Sequence, residues 1–68
     1  MNKIKIETEI IKLDAFMKYA AIACSGSEAK FYIKDGMVKV NNEICTQRGK
    51  KLRAGDVVNF EGEDYEII

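Results

Sequence analysis

The segment Ser25-Gly26-Ser27-Glu28, together with Gly36, constrains this chain most, because it marks both ends of one short helix. A Ser followed three residues later by Glu has the form of a capping box, in which the two side chains satisfy free backbone donors at a helix start. Glycine suits the left-handed conformation that closes a helix, so the helix is expected to run from near Ser25 to about Asp35. Beyond it, Val38-Lys39-Val40 alternates with period two, Asn41-Asn42 tolerates positive φ, and Glu43-Ile44-Cys45 resumes the alternation. That order predicts a hairpin. The next stretch, Thr46 to Arg53, is expected to be a surface loop. It carries four cations in the six residues from Arg48 to Arg53 and no acid, which makes it a candidate surface for phosphate.

The flanking segments complete an α+β pattern. Lys3-Ile4-Lys5-Ile6-Glu7 alternates as an edge strand does, with Ile4 and Ile6 on one face. Leu13, Phe16, Met17 and Ala20 recur at helical spacing, which predicts a first helix over about residues 11–22 with these four facing a core. On the second helix Ala29, Tyr32 and Ile33 share a face, which leaves Lys30, Phe31 and Lys34 pointing elsewhere. Only a few residues separate the helices, so they are expected to pack as a helical hairpin. Val57 to Phe60 and Tyr65 to Ile68 read as strands around a turn at Glu61 to Asp64, and no proline interrupts pairing. The expected fold is a two-helix hairpin packed on a small, twisted, mainly antiparallel sheet, with residues 1–68 forming one domain.

Size and composition exclude several functions. Sixty-eight residues leave no room for a deep catalytic cleft. No apolar run approaches the roughly 18 residues that span a bilayer, and the charged start lacks a signal peptide's apolar stretch. A cytoplasmic location is therefore expected, with no membrane partner. The two cysteines, Cys24 and Cys45, form no CxxC pair and there is no histidine, so no metal site is expected and both thiols are expected to be reduced packing residues. There is no phosphate loop of the GxxxxGK type and no Ser/His/Asp set, so no enzyme and no cofactor are expected.

Zero net charge hides an asymmetry. Residues 12–53 hold nine Lys or Arg against four acids, while residues 54–68 hold five acids and no cation. Such a distribution fits a polyanion-binding face with an acidic side elsewhere, although a mixed solvated surface has the same composition.

Taken in order, Lys12-Leu13-Asp14, the Phe16 stripe, Ser25 to Lys30, Gly36 to Asn41 and Arg53-Ala54-Gly55-Asp56 resemble the RNA-binding domain named after ribosomal protein S4. The similarity covers about residues 10–60 and is strongest to the small free-standing bacterial versions. It implies an S4-like fold and a non-enzymatic protein that binds structured RNA, with ribosomal RNA or a ribosomal subunit as the expected partner. The site it implies comprises Lys12, Ser25, Gly26, Ser27, Lys30, Lys34, Arg48, Lys50, Lys51 and Arg53. Each has a physical reason. A helix N-terminus offers free amides and the positive end of its dipole, hydroxyls add donors, and surrounding cations neutralise phosphates. Such domains commonly carry arginine where this chain has Lys12 and Gly26, which moves weight toward Arg48 to Arg53.

Other readings come from other classes. A small protein-interaction adapter would use the acidic C-terminal end or exposed strands. A sulfur carrier is suggested by Gly55-Asp56-Val57-Val58, but the chain ends Tyr65-Glu66-Ile67-Ile68 without a Gly-Gly tail. DNA is a poorer partner, because neither helix is long or basic enough to read a major groove. Phe31 is expected to pack on the sheet or a neighbouring side chain rather than on a base, and Tyr19, Tyr32 and Tyr65 to serve the core or its rim.

Overall fold

The structure is a computed structural model that describes residues 1–68. Along the chain it runs β1 (Asn2–Ile4), β2 (Ile11–Lys12), α1 (Leu13–Tyr19), α2 (Gly26–Lys34), β3 (Val38–Val40), β4 (Glu43–Ile44), β5 (Lys51–Leu52), β6 (Val57–Phe60) and β7 (Glu63–Ile67). Five strands form one sheet in the order β1-β7-β6-β3-β4, and β2 and β5 pair as a separate two-stranded ribbon. All pairs are antiparallel except β1 with β7. This is the α+β arrangement expected, with a mainly antiparallel main sheet.

Local signals set α2. The Ser25 hydroxyl accepts from the Glu28 amide at 3.1 Å, and the Glu28 carboxylate accepts from the Cys24 amide at 3.1 Å, one residue earlier than a standard capping box. At the other end, the Gly36 amide donates to the Ile33 carbonyl and the Met37 amide to the Tyr32 carbonyl, with Gly36 at φ +76°. Those two bonds form a Schellman closure.

Helix α1 is shorter than the expected 11–22. The residues Ile11 and Lys12 are drawn into the ribbon with β5, and the helix stops at Tyr19. The stop is again a Schellman closure, with the Ala21 amide donating to the Lys18 carbonyl and the Ile22 amide to the Met17 carbonyl. The left-handed position is filled by Ala21, at φ 60°.

Two further expectations are corrected. The run from Thr46 to Arg53 is not loop throughout: Lys51 and Leu52 form β5, and Leu52 is fully buried, so the cations alternate with a core anchor. The last hairpin turns on Glu61 and Gly62 alone, which starts β7 at Glu63; both residues have positive φ, as a type I′ turn requires. Asn41 and Asn42 make the same kind of turn between β3 and β4.

The core joins both helices to one face of the sheet. Leu13, Phe16 and Met17 from α1 and Ala29 and Ile33 from α2 are fully buried against Val38, Val58 and Ile67. Ala20, at the end of α1, is half-buried, and Tyr32, Tyr65, Ile4 and Ile6 pack on the margin. Tyr19 is exposed and donates its hydroxyl to the Lys5 carbonyl at 2.8 Å. Of the two thiols only Cys24 departs from expectation: it is exposed and is not a packing residue, whereas Cys45 is half-buried against the core, and both are free. No helix is long and apolar enough to cross a membrane.

Candidate nucleic-acid interface

In the β2–β5 ribbon Ile11 pairs with Leu52 and Lys12 with Lys51. Side chains alternate across a strand, so burying Leu52 turns the neighbouring pair to the opposite side. Lys12 and Lys51 are therefore exposed directly opposite one another. Like charges in that position repel, and an anion between them relieves the repulsion. The ladder continues into α1, because the Leu13 amide donates to the Lys50 carbonyl at 2.9 Å and the Asp14 amide to the Arg48 carbonyl at 3.1 Å. These bonds dock the Arg48–Lys50 turn on the first turn of α1. One cluster therefore contains Lys12, Arg48, Lys50 and Lys51, all exposed.

The same bonds remove α1 as an anion site, since two of its leading amides are already spoken for. Asp14 completes that turn by accepting from the Ala15 amide at 2.7 Å. Helix α2 differs. Its cap engages the Glu28 amide, while the Gly26 and Ser27 amides have no partner within the fold. A β-carbon built on Gly26 would meet nothing within 4 Å, so a ligand can approach this backbone closely.

Ser27, Lys30 and Lys34 form a second group on the outer side of α2, around a shallow hollow bordered by Phe31 and Asp35. Arg53 stands apart. It follows β5 and borders a separate hollow with Glu9, Ile10 and Ala54. Its backbone amide donates to the Asp56 carboxylate at 3.0 Å, which shapes the turn through Gly55 at φ +100°. All ten residues expected at the site are exposed, but they fall into these separate groups rather than one ring.

Two residues matter that the sequence reasoning underrated. Phe31 does not pack on the sheet: it is 61% exposed and meets only a neighbouring ring, that of Tyr32, edge-on at 5.9 Å. Its place between two lysines on the polar side of α2 was the available signal. Asn41 does more than shape a turn. Its side-chain amide donates to the Asp56 carboxylate at 3.1 Å and its carbonyl oxygen accepts from the Val57 amide at 3.0 Å, latching the β3–β4 turn to the segment that follows the basic cluster. Burial, and then the negative charge of Glu28, push the Tyr32 phenol above its ordinary range.

Acids and cations are used differently. Asp56, Glu63 and Asp64 each accept a side-chain hydrogen bond inside the fold, from the Arg53 amide and from Asn41, Asn2 and Asn59 respectively. No lysine or arginine side chain makes one.

Comparison with known proteins gives consistent matches. A family model described as the S4 domain matches residues 4–68. RlbA of Bacillus subtilis (strain 168), named a probable ribosome maturation protein, is 46% identical over 61 residues, covering 90% of this chain and 86% of RlbA. YbcJ of Escherichia coli (strain K12), for which RNA binding is proposed, is 31% identical over 58 residues, covering 85% of this chain and 83% of YbcJ. Among solved structures, the 30S ribosomal protein S4e from Thermoplasma acidophilum superposes with a TM-score of 0.74 at 21% identity, covering 88% of this chain. The chain spans only 32% of S4e, so that likeness concerns the fold.

Proposed function

The chain belongs to the S4 domain family, and on that premise we propose that it is a non-enzymatic protein that binds structured RNA, ribosomal RNA above all, in ribosome maturation or association. The observation that carries the reading is the in-register exposed pair Lys12–Lys51, with Arg48 and Lys50 held beside it by backbone bonds to α1. A fold that sets like charges opposite one another accepts a penalty in the free state, and phosphate reverses its sign. The open amides of Gly26 and Ser27, with Lys30 and Lys34 behind them, give a second phosphate position. The names of RlbA and YbcJ support the ribosomal and RNA parts of the reading, and the setting is then the cytoplasm, where ribosomes are assembled. The proposal needs only charge, amides and shape.

The test compares wild type, a Lys12→Glu/Lys50→Glu/Lys51→Glu variant and a Glu61→Gln/Glu66→Gln control in RNA retention on filters and cosedimentation with ribosomal subunits. Reversing three exposed cations should abolish both signals with the fold intact, and the control should retain them. Normal binding by the basic variant and loss in the control would point instead to an adapter working through the acidic end.

A further inference from the structure

Phe31 is an exposed aromatic ring that borders a shallow hollow with two lysines. It is 61% exposed, and helical spacing places Ser27, Lys30 and Lys34 on the same face. Its support is firm. The Phe31 ring meets Tyr32 edge-on at 5.9 Å, and Tyr32 is itself seated on Phe60, a core residue, at 4.7 Å. Phe31 is therefore an exposed ring at the outer end of a braced row of aromatic side chains.

The chemistry around that face selects its occupant. A protein partner needs on the order of 800 Å² on each side, with lysine depleted from the contact, and one ring rimmed by two lysines meets neither condition. A nucleobase needs only a ring to stack on and cations for the phosphates beside it. Asp35 closes the C-terminal rim of the hollow and repels phosphate there, so the favourable track for a backbone runs the other way, past Lys30 and Ser27 toward the open amides at Gly26. We infer that Phe31 is a stacking platform for an unpaired base of the bound RNA, with Lys30 holding the adjacent phosphate. The inference rests on the RNA-binding reading above and narrows it: the preferred ligand is a stem with an unstacked loop or bulge, since bases within a duplex cannot reach a ring on a helix face.

Two RNA probes with the same stem test it by fluorescence anisotropy, one closed by an unpaired loop and one a blunt duplex. Phe31→Ala should weaken the hairpin by about tenfold, the effect of losing one base–aromatic stack, and change the duplex by less than about twofold. Phe31→Trp should bind the hairpin at least as well as wild type, with indole emission quenched by the hairpin and not by the duplex. Equal hairpin affinity for Phe31→Ala and wild type overturns the platform, as does an equal loss on both probes. If Lys12→Ala and Lys50→Ala weaken the hairpin while Phe31→Ala does not, RNA binding stands and the platform falls. If Phe31→Ala binds both probes normally but no longer cosediments with ribosomal subunits, the ring seats on a ribosomal protein and the inference is wrong. Failure of wild type on both probes and on subunits removes the RNA reading itself, and the platform with it.

Discussion

Ala21 and Glu61 hold the left-handed region, at φ 60° and 51°, with side chains that enter it at a cost of about 1 kcal/mol. Both are exposed, so neither recovers that cost through packing. Replacing either with glycine should raise stability by about 0.5 kcal/mol, the strain relieved less the added freedom of the unfolded chain, and Glu61→Asn should do as well because Asn-Gly suits a type I′ turn. Gly36→Ala should do the reverse and lose about 1 kcal/mol, through backbone strain rather than collision, because its β-carbon would meet the Ile44 side chain at an ordinary 3.8 Å. Thermal melting of the four variants checks the signs; a lower melting temperature for Ala21→Gly would show that α1 does not end as described. The same residues explain what could be read in advance. Gly36 announces a helix end, whereas Ala21 in the same role reads as helix, so the chain hides the end of α1 and displays that of α2.

At the scale of elements, the two helices differ in what terminates them. The limits of α2 come from neighbours in sequence, Ser25, Glu28 and Gly36, and were legible for that reason. The start of α1 comes from carbonyls of Arg48 and Lys50, more than thirty residues away, which no local pattern reveals. The ribbon strand β5 was hidden for a related reason, because two residues carry too little alternation and Leu52 shows its buried role only once it packs. Of the candidate site, residue types were legible, but their division into an Arg48–Lys51 cluster and an α2 group depends on that docking. Amide exchange should report the contrast. Leu13 and Asp14 should be protected although they begin a helix, while Gly26 and Ser27 should exchange fast in the free protein and slow when RNA is added. Fast exchange at Leu13 would detach the basic turn from α1. Phe16 of α1 is the largest fully buried side chain of the core, and Phe16→Ala should cost about 3 to 5 kcal/mol. A domain this small holds little reserve, so its melting transition should be lost or fall steeply.

On the scale of the whole molecule, opposite charges serve opposite ends. Three of the five C-terminal acids, Asp56, Glu63 and Asp64, accept hydrogen bonds from asparagines, and Glu66 lies in register with Lys3 across the parallel β1–β7 pair. Those bonds tie Asp56 and Asp64 into the free protein, while Glu61 and Glu63 stay exposed. The cations of the helices and the β2–β5 ribbon make no such bonds, and the molecule is only 26 × 20 × 18 Å, so both basic groups lie within reach of one folded RNA. A net charge of zero therefore does not predict weak binding to a polyanion; the local field does. If Lys12, Lys30, Arg48, Lys50 and Lys51 neutralise four or five phosphates, log affinity should fall against log salt with a slope of about −3 to −4, at roughly 0.7 per contact on single-stranded segments. Removing Lys12 should reduce the slope by about 0.7, whereas Phe31→Ala should lower affinity at every salt concentration and leave the slope unchanged, because stacking releases no counterions. Binding titrations across a salt series separate the two contributions. A flat response would mean that neither basic group meets phosphate, and the pairing of Lys12 with Lys51 would then be an unrelieved repulsion in a surface ribbon.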